Sequence, residues 1–369
     1  MHARLRIASL GFSALRGGSL VPSVVRAAMV AIALSLLNVP CSVGAQPAQG
    51  RTSAGEATRK PNSEAFRKLR EAIDNYYSYR DMRRVNWDQL FRQHESVLLA
   101  AASPEAFAEK AAAMLAAAKD LHITVSVEGG RQFGTLRQSV PANYDDALIA
   151  RLVPKFQKHN SLVATGQFPD GIAYLQIRAW DTSRKDELES AFRALAQWQE
   201  APGLLIDVRQ NGGGGEGMAE SIAGCFVDQP AVYAKHVSRD PRAPGGFTPI
   251  RERVLDPNTQ QAKYRGAIAV LMGPRCVSSN EAFLLMMKQV PQCTLVGERS
   301  RGSSGNPKPH KLGNGVTVNL PSWKALRPDG TCFEGEGLSP DVRVATRPTD
   351  FQKRDPVLDA ALRILRRKD

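Results

Sequence analysis

Beyond residue 170, this chain of 369 residues alternates short apolar segments with amphipathic ones, and that alternation limits its possible folds more than any other feature. Apolar runs of strand length are found at Ile172 to Ile177, Leu204 to Asp207, Ala267 to Met272, Thr294 to Val296 and Val316 to Leu320. Helical spacing is found at about Arg184 to Trp198, Met218 to Phe226 and Asn280 to Val290. Strands that alternate with helices favour a largely parallel sheet covered on both faces. The sequence therefore predicts an α/β fold.

The chain before this region has a helical pattern. Phe66, Leu69 and Ile73 recur at helical spacing, and Ser103 followed by Pro104 is typical of a helix start. We expect an N-terminal helical subdomain at residues 63–121, with residues 122–369 forming the larger domain. Residues 46–62 are polar and contain Gly, Pro and Ser, so they are predicted to be a flexible leader.

The first 45 residues have the composition of a secretory signal. Four arginines precede or begin an apolar run at residues 27–37, and Val43-Gly44-Ala45 provides small residues before a cleavage point. The run is too short to span a bilayer, and no later segment is apolar enough to do so. We therefore expect cleavage after about Ala45 and a periplasmic or secreted protein; a retained membrane anchor is the alternative.

Charge and cysteine content exclude several classes of protein. Four of the 49 basic residues and none of the 36 acidic residues precede Gln46, so the mature chain would carry 45 basic and 36 acidic residues, a net charge of +9. This surplus is dispersed and has no aromatic interleaving, so no nucleic-acid partner is expected. The four mature cysteines could form disulfides in any of three pairings, but their spacing fits no zinc site. No cofactor or metal is implied.

A serine lies where a predicted strand leads into a predicted helix. Ser278 and Ser279 follow the strand Ala267 to Met272, and the helix begins at about Asn280. The free N–H groups of a first helical turn can stabilise an oxyanion, and a hydroxyl at this junction can attack a carbonyl. This arrangement favours acyl transfer, whereas the alternative is a serine that only caps the helix.

A run of four glycines, Gly212 to Gly215, follows the strand Leu204 to Asp207. Glycines at such a position let backbone amides approach a ligand closely, either an oxyanion or a phosphate. Glu216 follows the run, and the Lys-Ser/Thr pair of a nucleotide P-loop is missing. Met218 stands where the dinucleotide fingerprint needs its third glycine. Nucleotide binding is therefore the weaker alternative.

Together these segments resemble the tail-specific, or C-terminal processing, serine proteases of peptidase family S41. The resemblance extends from about Ser63 to Val344 and rests on four motifs in the same order. The motifs are Asp207-x-Arg209-x-Asn211-x-Gly213-Gly214, Ser278-x-x-Glu281, Gly297-Glu298-x-x-x-Gly302 and Glu334-Gly335-x-Gly337-x-x-Pro340-Asp341. The resemblance implies a crotonase-like (ClpP/crotonase) α/β core and Ser278 as the nucleophile.

One departure from the family pattern concerns the base. Members with a Ser-Lys dyad place the lysine where this chain has Ser303, and Lys308, flanked by prolines, is a poor substitute. A branch that resembles the tricorn protease core and the retinoid-binding protein repeats uses a histidine instead. Its Asp-x-His motif is matched by Asp120 and His122, and the resemblance implies a triad of Ser278, His122 and Glu336.

The resemblance further implies oxyanion donors at the backbone N–H groups of Ser279 and Gly213. About 50 residues separate His122 from the strand at Ile172, too few for the peptide-binding PDZ module of many relatives. The leading hypothesis is an exported serine peptidase that cleaves a peptide or protein substrate through an acyl-enzyme. The alternative is a non-catalytic protein on the same fold that binds a peptide or an apolar ligand.

Overall fold

The computed structural model describes residues 53–136 and 139–367. The predicted signal peptide and residues 46–52 of the predicted leader lie outside the described residues. Within them the α-helices are α1 Ser53–Tyr76, α2 Trp87–Leu99, α3 Pro104–Leu115, α4 Asp146–Leu152, α5 Glu189–Gln197, α6 Glu216–Ala223, α7 Ser279–Met287 and α8 Pro356–Leu365. Short 3-10 helices span Ala116–Ala118, Thr182–Leu188, Gly224–Phe226, Pro244–Gly246 and Pro348–Gln352.

Fourteen strands complete the described structure. They are β1 Thr124–Val127, β2 Gln132–Gly134, β3 Gln157–Lys158, β4 Val163–Gln167, β5 Ala173–Ile177, β6 Gly203–Asp207, β7 Ala231–Ser238, β8 Arg251–Leu255, β9 Ala267–Met272, β10 Cys293–Gly297, β11 Pro307–Lys311, β12 Val316–Pro321, β13 Trp323–Leu326 and β14 Val342–Arg343. They form three sheets, in the orders β11-β12-β1-β2, β14-β10-β9-β6-β5-β4-β3 and β13-β7-β8. The predicted mixed α/β class is confirmed.

The seven-stranded sheet contains four of the five predicted strands. The pairs β5-β6, β6-β9, β9-β10 and β10-β14 are parallel, whereas β4 pairs antiparallel with both β5 and β3. The fifth predicted strand, observed as β12, lies instead in the four-stranded antiparallel sheet. Its buried and half-buried residues alternate, which is the pattern of a strand with one face towards a core. The prediction that this strand belongs to the parallel sheet is therefore wrong.

Both faces of the seven-stranded sheet are buried because successive side chains of a strand point to opposite sides. On β6, Leu204 and Ile206 join the core that includes residues of α5, α6 and α7. Leu205, between them, joins the core formed with α4 and α8. The continuous apolar run of this strand, read in the sequence as a fully buried strand, therefore has a partner on each face.

A separate core joins α1, α2 and α3 to the four-stranded sheet. The helix α1 begins at Ser53, ten residues before the expected start of order at Ser63, so the predicted leader is partly helical. Alanine, glutamate, arginine and lysine dominate residues 54–60 and favour a helix, which continues through Pro61. No helix in the described part of the chain is long and apolar enough to cross a bilayer.

The parallel pairing brings three loops to one edge of the sheet. Strands β6, β9 and β10 are neighbours, and their carboxyl ends meet at this edge. The loops that follow them are residues 208–215, 273–278 and 298–306. Parallel α/β sheets generally bind ligands at the carboxyl ends of their strands, so this edge is the expected place for a site.

A buried ion pair holds the loop after β6. Arg209 is fully buried and donates to both carboxylate oxygens of Asp207, at 2.9 and 2.7 Å. It also donates to Asp355, the N-cap residue of α8, at 2.8 Å and to the carbonyl of Asn143 at 2.9 Å. The Asp-x-Arg part of the sequence motif is therefore structural.

Replacing Arg209 by leucine should destabilise the fold strongly, because Asp207 and Asp355 would be left as buried carboxylates without a cation. Breaking such a pair costs about 3–5 kcal/mol of unfolding free energy. Denaturant unfolding of the variant measures this loss. The matched control is Arg193→Leu on α5, where the exposed arginine donates a hydrogen bond to Ser190 and a change below about 0.5 kcal/mol is expected. Equal stability of the two variants would contradict the prediction.

Candidate active site

Ser278 occupies a backbone conformation that few residues other than glycine adopt. It is the N-cap of α7 and has φ 60° and ψ −129°. A non-glycine residue in such a region costs on the order of 1–3 kcal/mol and persists only where its surroundings enforce it. Strained turns between a strand and a helix are known to expose a nucleophilic serine. The sequence prediction that this serine lies at a strand-to-helix junction is confirmed.

The glycine run approaches this serine closely. A Cβ atom on Gly213 would lie 2.8 Å from the Cβ of Ser278 and 2.8 Å from the carbonyl oxygen of Val277. Gly213 also has φ +94°, which side chains rarely tolerate. Both constraints require glycine here, so the run serves close packing against the serine.

The two expected oxyanion donors differ in their hydrogen bonds. Ser279 is the first residue of α7, where a backbone N–H has no acceptor within the helix. The N–H of Gly213, by contrast, donates to Oδ1 of Asn211 at 2.9 Å. In this conformation Gly213 is therefore not a free donor, because the side chain of its own motif accepts its hydrogen.

Glu281 holds the loop after β10 against the start of α7. Its carboxylate is fully buried and accepts hydrogen bonds from the hydroxyl of Ser300 at 2.5 Å and from the N–H groups of Gly302 and Ser303 at 2.7 and 2.9 Å. The N–H of Ser278 donates to it at 3.3 Å. Burial raises the pKa of Glu281 to about 7, and the four donors act in the opposite direction.

Ser303 connects the serine to the histidine. Its carbonyl oxygen accepts the N–H of Ser278 at 2.9 Å, and its Oγ lies 2.9 Å from Nδ1 of His122. The described residues form no direct hydrogen bond between the His122 ring and the Ser278 hydroxyl. The segments that contain Ser278, Ser303 and His122 therefore meet, and Ser303 lies between the other two. Since Nδ1 faces Ser303, the second ring nitrogen, Nε2, is the one available to other groups.

A buried carboxylate also lies near this Nδ1 side of His122. Oδ1 of Asp120 accepts the backbone N–H of His122 at 3.0 Å and lies 3.9 Å from Nδ1. Oδ2 of the same carboxylate accepts from the hydroxyl of Tyr77 at 2.8 Å and from Arg83 at 2.9 Å. Burial lowers the pKa of His122 below the usual 6.5, Asp120 raises it and Arg83 lowers it. The imidazole is therefore neutral at neutral pH, as a base must be.

Glu336, the expected third member of the triad, lies at the surface. Its side chain is 65% exposed and pairs with Arg327 at 3.3 Å. The carboxylate that points inwards is Glu334, whose side chain is 3% exposed and forms an ion pair with Arg83. Its other oxygen accepts the N–H of Ser304 at 2.9 Å. Burial raises the pKa of Glu334, and Asp120 nearby raises it further.

Sequence reasoning missed Glu334 although it stands in the motif already recognised. Two glutamates alternate with glycines there, and the pattern does not say which of them faces inwards. Gly335 and Gly337 both have positive φ, so the segment turns between the two glutamates. In the sequence Ser303 stands only where other members have the lysine, yet its hydroxyl is the group that contacts His122.

The other candidates of the sequence lie apart from this cluster. The four cysteines are free thiols, so none of the possible disulfides is formed. Lys308 is an exposed residue of β11, His310 stacks on Tyr76, and the ring of His236 is tilted against that of Trp323. Within residues 53–136 and 139–367 no group of three or more His, Cys, Asp or Glu side chains could hold a metal ion.

Sequence comparison assigns the family. A model of peptidase family S41 matches residues 171–344, which contain Gly213, Ser278, Ser303 and Glu334, and a model of the tricorn protease C1 domain matches residues 59–116. The chain belongs to peptidase family S41. This S41 protein is 25% identical over 175 residues to the carboxy-terminal processing protease CtpB of Bacillus subtilis. It is 26% identical over 178 residues to the tricorn protease of Thermoplasma acidophilum.

Both alignments cover 47% of this chain. The first covers 34% of CtpB, and the second covers 15% of the tricorn protease. The S41 protein thus spans about a third of the length of CtpB. Its fold is similar to that of a putative peptidase from Parabacteroides merdae, with a TM-score of 0.71 and 22% identity over 85% of this chain and 98% of the other. The family predicted from the motifs is confirmed.

The titration of His122 should reflect the two opposing influences on its ring. An NMR titration of the ring protons should give a pKa below 6.5, because burial disfavours the imidazolium. In Asp120→Asn the value should fall further, since the carboxylate that favours the charged form is removed. Glu336→Gln is the matched control, and its exposed position predicts an unchanged value. A higher pKa in Asp120→Asn would contradict the assignment.

Proposed function

We propose that this S41 protein is a serine peptidase in which Ser278 is the nucleophile and His122 the base. One observation carries the proposal: Ser303 contacts both residues, through its carbonyl and its hydroxyl, and so joins the helix start to the Asp-x-His segment. Family membership supports peptide-bond hydrolysis as the reaction. The strained backbone of Ser278 and the lowered pKa of His122 support the two roles.

The proposed reaction follows from the orientation of the ring. If Nδ1 keeps its hydrogen and donates it to Oγ of Ser303, Nε2 has a free electron pair. Nε2 then takes the proton of the Ser278 hydroxyl while Oγ of Ser278 bonds to the carbonyl carbon of the peptide. Collapse of the tetrahedral intermediate breaks the C–N bond, and the imidazolium returns the proton to the leaving amine. Water, activated by the same nitrogen, hydrolyses the acyl-enzyme.

We propose the N–H of Ser279 as a donor to the oxyanion that forms in both steps. The first turn of α7 also carries the positive end of the helix dipole, which favours a negative charge there. Gly213 can be the second donor only if its N–H leaves Asn211. A rotation of the Gly212–Gly213 peptide would achieve this. Gly213 has a positive φ, a conformation that side chains rarely tolerate, so this position suits glycine.

We propose Asp120, Arg83 and Glu334, in place of Glu336, as the groups that position His122. Asp120 fixes the backbone of the histidine and stabilises the imidazolium that forms during the reaction. Arg83 bonds both Asp120 and Glu334, so the three side chains form one buried network. A buried network of this kind acts as a unit, and loss of one member leaves the others unpaired.

Two further properties are proposed from the sequence. The basic and apolar N-terminal segment supports export to the periplasm or the outside of the cell. The order of strands and helices around residues 173–297 supports a crotonase-like core. Peptides or proteins are the proposed substrates, because the relatives are named as proteases.

Labelling by a serine-directed fluorophosphonate tests the nucleophile and the base. The wild-type protein should be labelled, Ser278→Ala should not, and His122→Ala should be labelled on the order of 1,000-fold more slowly, since a general base contributes effects of this size. Ser190→Ala, a half-buried serine on α5, is the control and should react like wild type. Equal labelling of wild type and Ser278→Ala, or none of either, would refute the proposal.

A pair of glutamate variants tests which carboxylate supports the histidine. Glu334→Gln should slow labelling at least about tenfold, because Arg83 loses a buried partner. Glu336→Gln should stay within about twofold of wild type. A larger effect of Glu336→Gln would restore the exposed carboxylate as the partner.

A further inference from the structure

The helices α4 and α8 form a layer whose outward side is basic. Both pack on the same face of the seven-stranded sheet, since Ile149 of α4 and Leu358 of α8 belong to one core. Exposed cations cover the outward side, and none of them forms an ion pair with a residue that the structure describes. Arg151, Lys155 and Lys158 lie in and after α4, and Lys353, Arg354, Arg363 and Arg367 lie around α8. These seven residues are called the basic face below.

The carboxylates of the same layer do not neutralise the basic face. They are Asp145, Asp146, Asp170, Asp350 and Asp359. Asp170 forms an ion pair with Arg366 at 2.6 Å, and Asp146 lies 3.9 Å from Arg178, so each of these two already has a cation. The layer therefore has more cations than carboxylates at its surface and produces a positive field there.

The segment at residues 347–367 contributes most to this imbalance. It contains six basic and three acidic residues, whereas the whole chain has 49 and 36. One of its three carboxylates, that of Asp355, is fully buried and bound by Arg209, so it does not reach the surface. The fold adds the cations that follow α4 to this segment, which lies about 190 residues further along the chain.

Apolar side chains lie among these cations. Leu152, Phe156 and Ile364 each follow directly after a residue of the basic face in the chain, and each is only partly buried against the core beneath it. Cations beside partly exposed apolar groups are typical of surfaces that rest on lipid headgroups. Surfaces that bind single-stranded nucleic acid use aromatic rings for stacking, whereas two of these three side chains are aliphatic. The pattern therefore favours lipid.

We propose that the basic face docks on a membrane surface that contains anionic phospholipids. Its guanidinium and ammonium groups pair with headgroup phosphates, and Leu152, Phe156 and Ile364 contact the boundary between headgroups and acyl chains. Each Lys or Arg close to an anionic membrane strengthens binding roughly fivefold, so several together give firm but salt-sensitive docking. This association is peripheral, and it goes beyond the proposed peptidase function.

Docking through the basic face leaves the candidate active site uncovered. The helix α7, which begins directly after Ser278, packs on the opposite face of the sheet from α4 and α8. A docked molecule would therefore keep the start of α7 on the side away from the lipid. Membrane docking and fluorophosphonate labelling are for this reason independent measurements.

Amine footprinting of the full-length wild-type protein tests the proposal. Lys155, Lys158 and Lys353 are exposed on the basic face, whereas the exposed control Lys185 lies close to Leu188, which belongs to the core on the other side of the sheet. Vesicles of phosphatidylcholine with about one third phosphatidylglycerol should slow acetylation of the first three lysines at least about fivefold. They should slow that of Lys185 less than about twofold, and vesicles of phosphatidylcholine alone should protect none of the four.

A triple variant locates the effect. Lys353→Gln, Arg363→Gln and Arg367→Gln together remove three cations, and the lipid concentration that half-protects Lys155 and Lys158 should rise on the order of 100-fold. The matched control combines Arg92→Gln, Lys185→Gln and Arg193→Gln, three exposed cations outside the basic face. It has the same net charge as the triple variant, and its midpoint should stay within about threefold of wild type.

Several results would overturn the inference. These are equal protection of Lys185 and the three lysines of the basic face, no protection of any of them by the anionic vesicles, or the same midpoint in the triple variant as in its control. Stronger protection by a DNA duplex than by vesicles at equal phosphate concentration would assign the face to nucleic acid and would also overturn it. None of these outcomes bears on the peptidase proposal, because labelling of Ser278 does not involve the basic face.

Discussion

The arrangement of the site depends on one buried carboxylate. Glu281 projects from the first turn of α7 and accepts the N–H groups of Gly302 and Ser303 and the hydroxyl of Ser300, so the loop after β10 cannot move away from the helix. Because Ser303 is held there, its carbonyl meets Ser278 and its hydroxyl meets His122. A carboxylate can accept hydrogen bonds at both of its oxygens, whereas an amide of the same size accepts them at only one.

A second buried group connects the helical part of the chain to this loop. Arg83 lies between Asp120, next to the histidine, and Glu334, whose second oxygen accepts the N–H of Ser304. Two carboxylates brought together out of water repel each other, and the guanidinium between them makes the arrangement possible. The same charges act on His122 in opposite directions, and its burial decides the outcome in favour of the neutral ring.

Much of this architecture could be predicted from residue patterns. The apolar run of β6 with Asp207 at its end, and the strand β9 leading to Ser278, follow from strand length, hydrophobicity and the position of glycine. Glu336 shows where such reasoning fails: it and Glu334 are two residues apart in a glycine-rich turn, and no local rule distinguishes the exposed from the buried one. Gly213 illustrates a different limit, since in this conformation its motif partner Asn211 accepts the N–H that the oxyanion was expected to use.

The sequence by itself determined the α/β class, the family, the serine at a helix start and the histidine after Asp120, because each depends on residues close together in the chain. Only the tertiary structure decided which groups surround that histidine. Ser303, Arg83 and Glu334 come from segments up to 251 residues apart, and their meeting depends on how α1 to α3 and the four-stranded sheet pack beside the carboxyl ends of the parallel strands. Contacts between such distant segments are set by the burial of whole faces, which no single motif encodes.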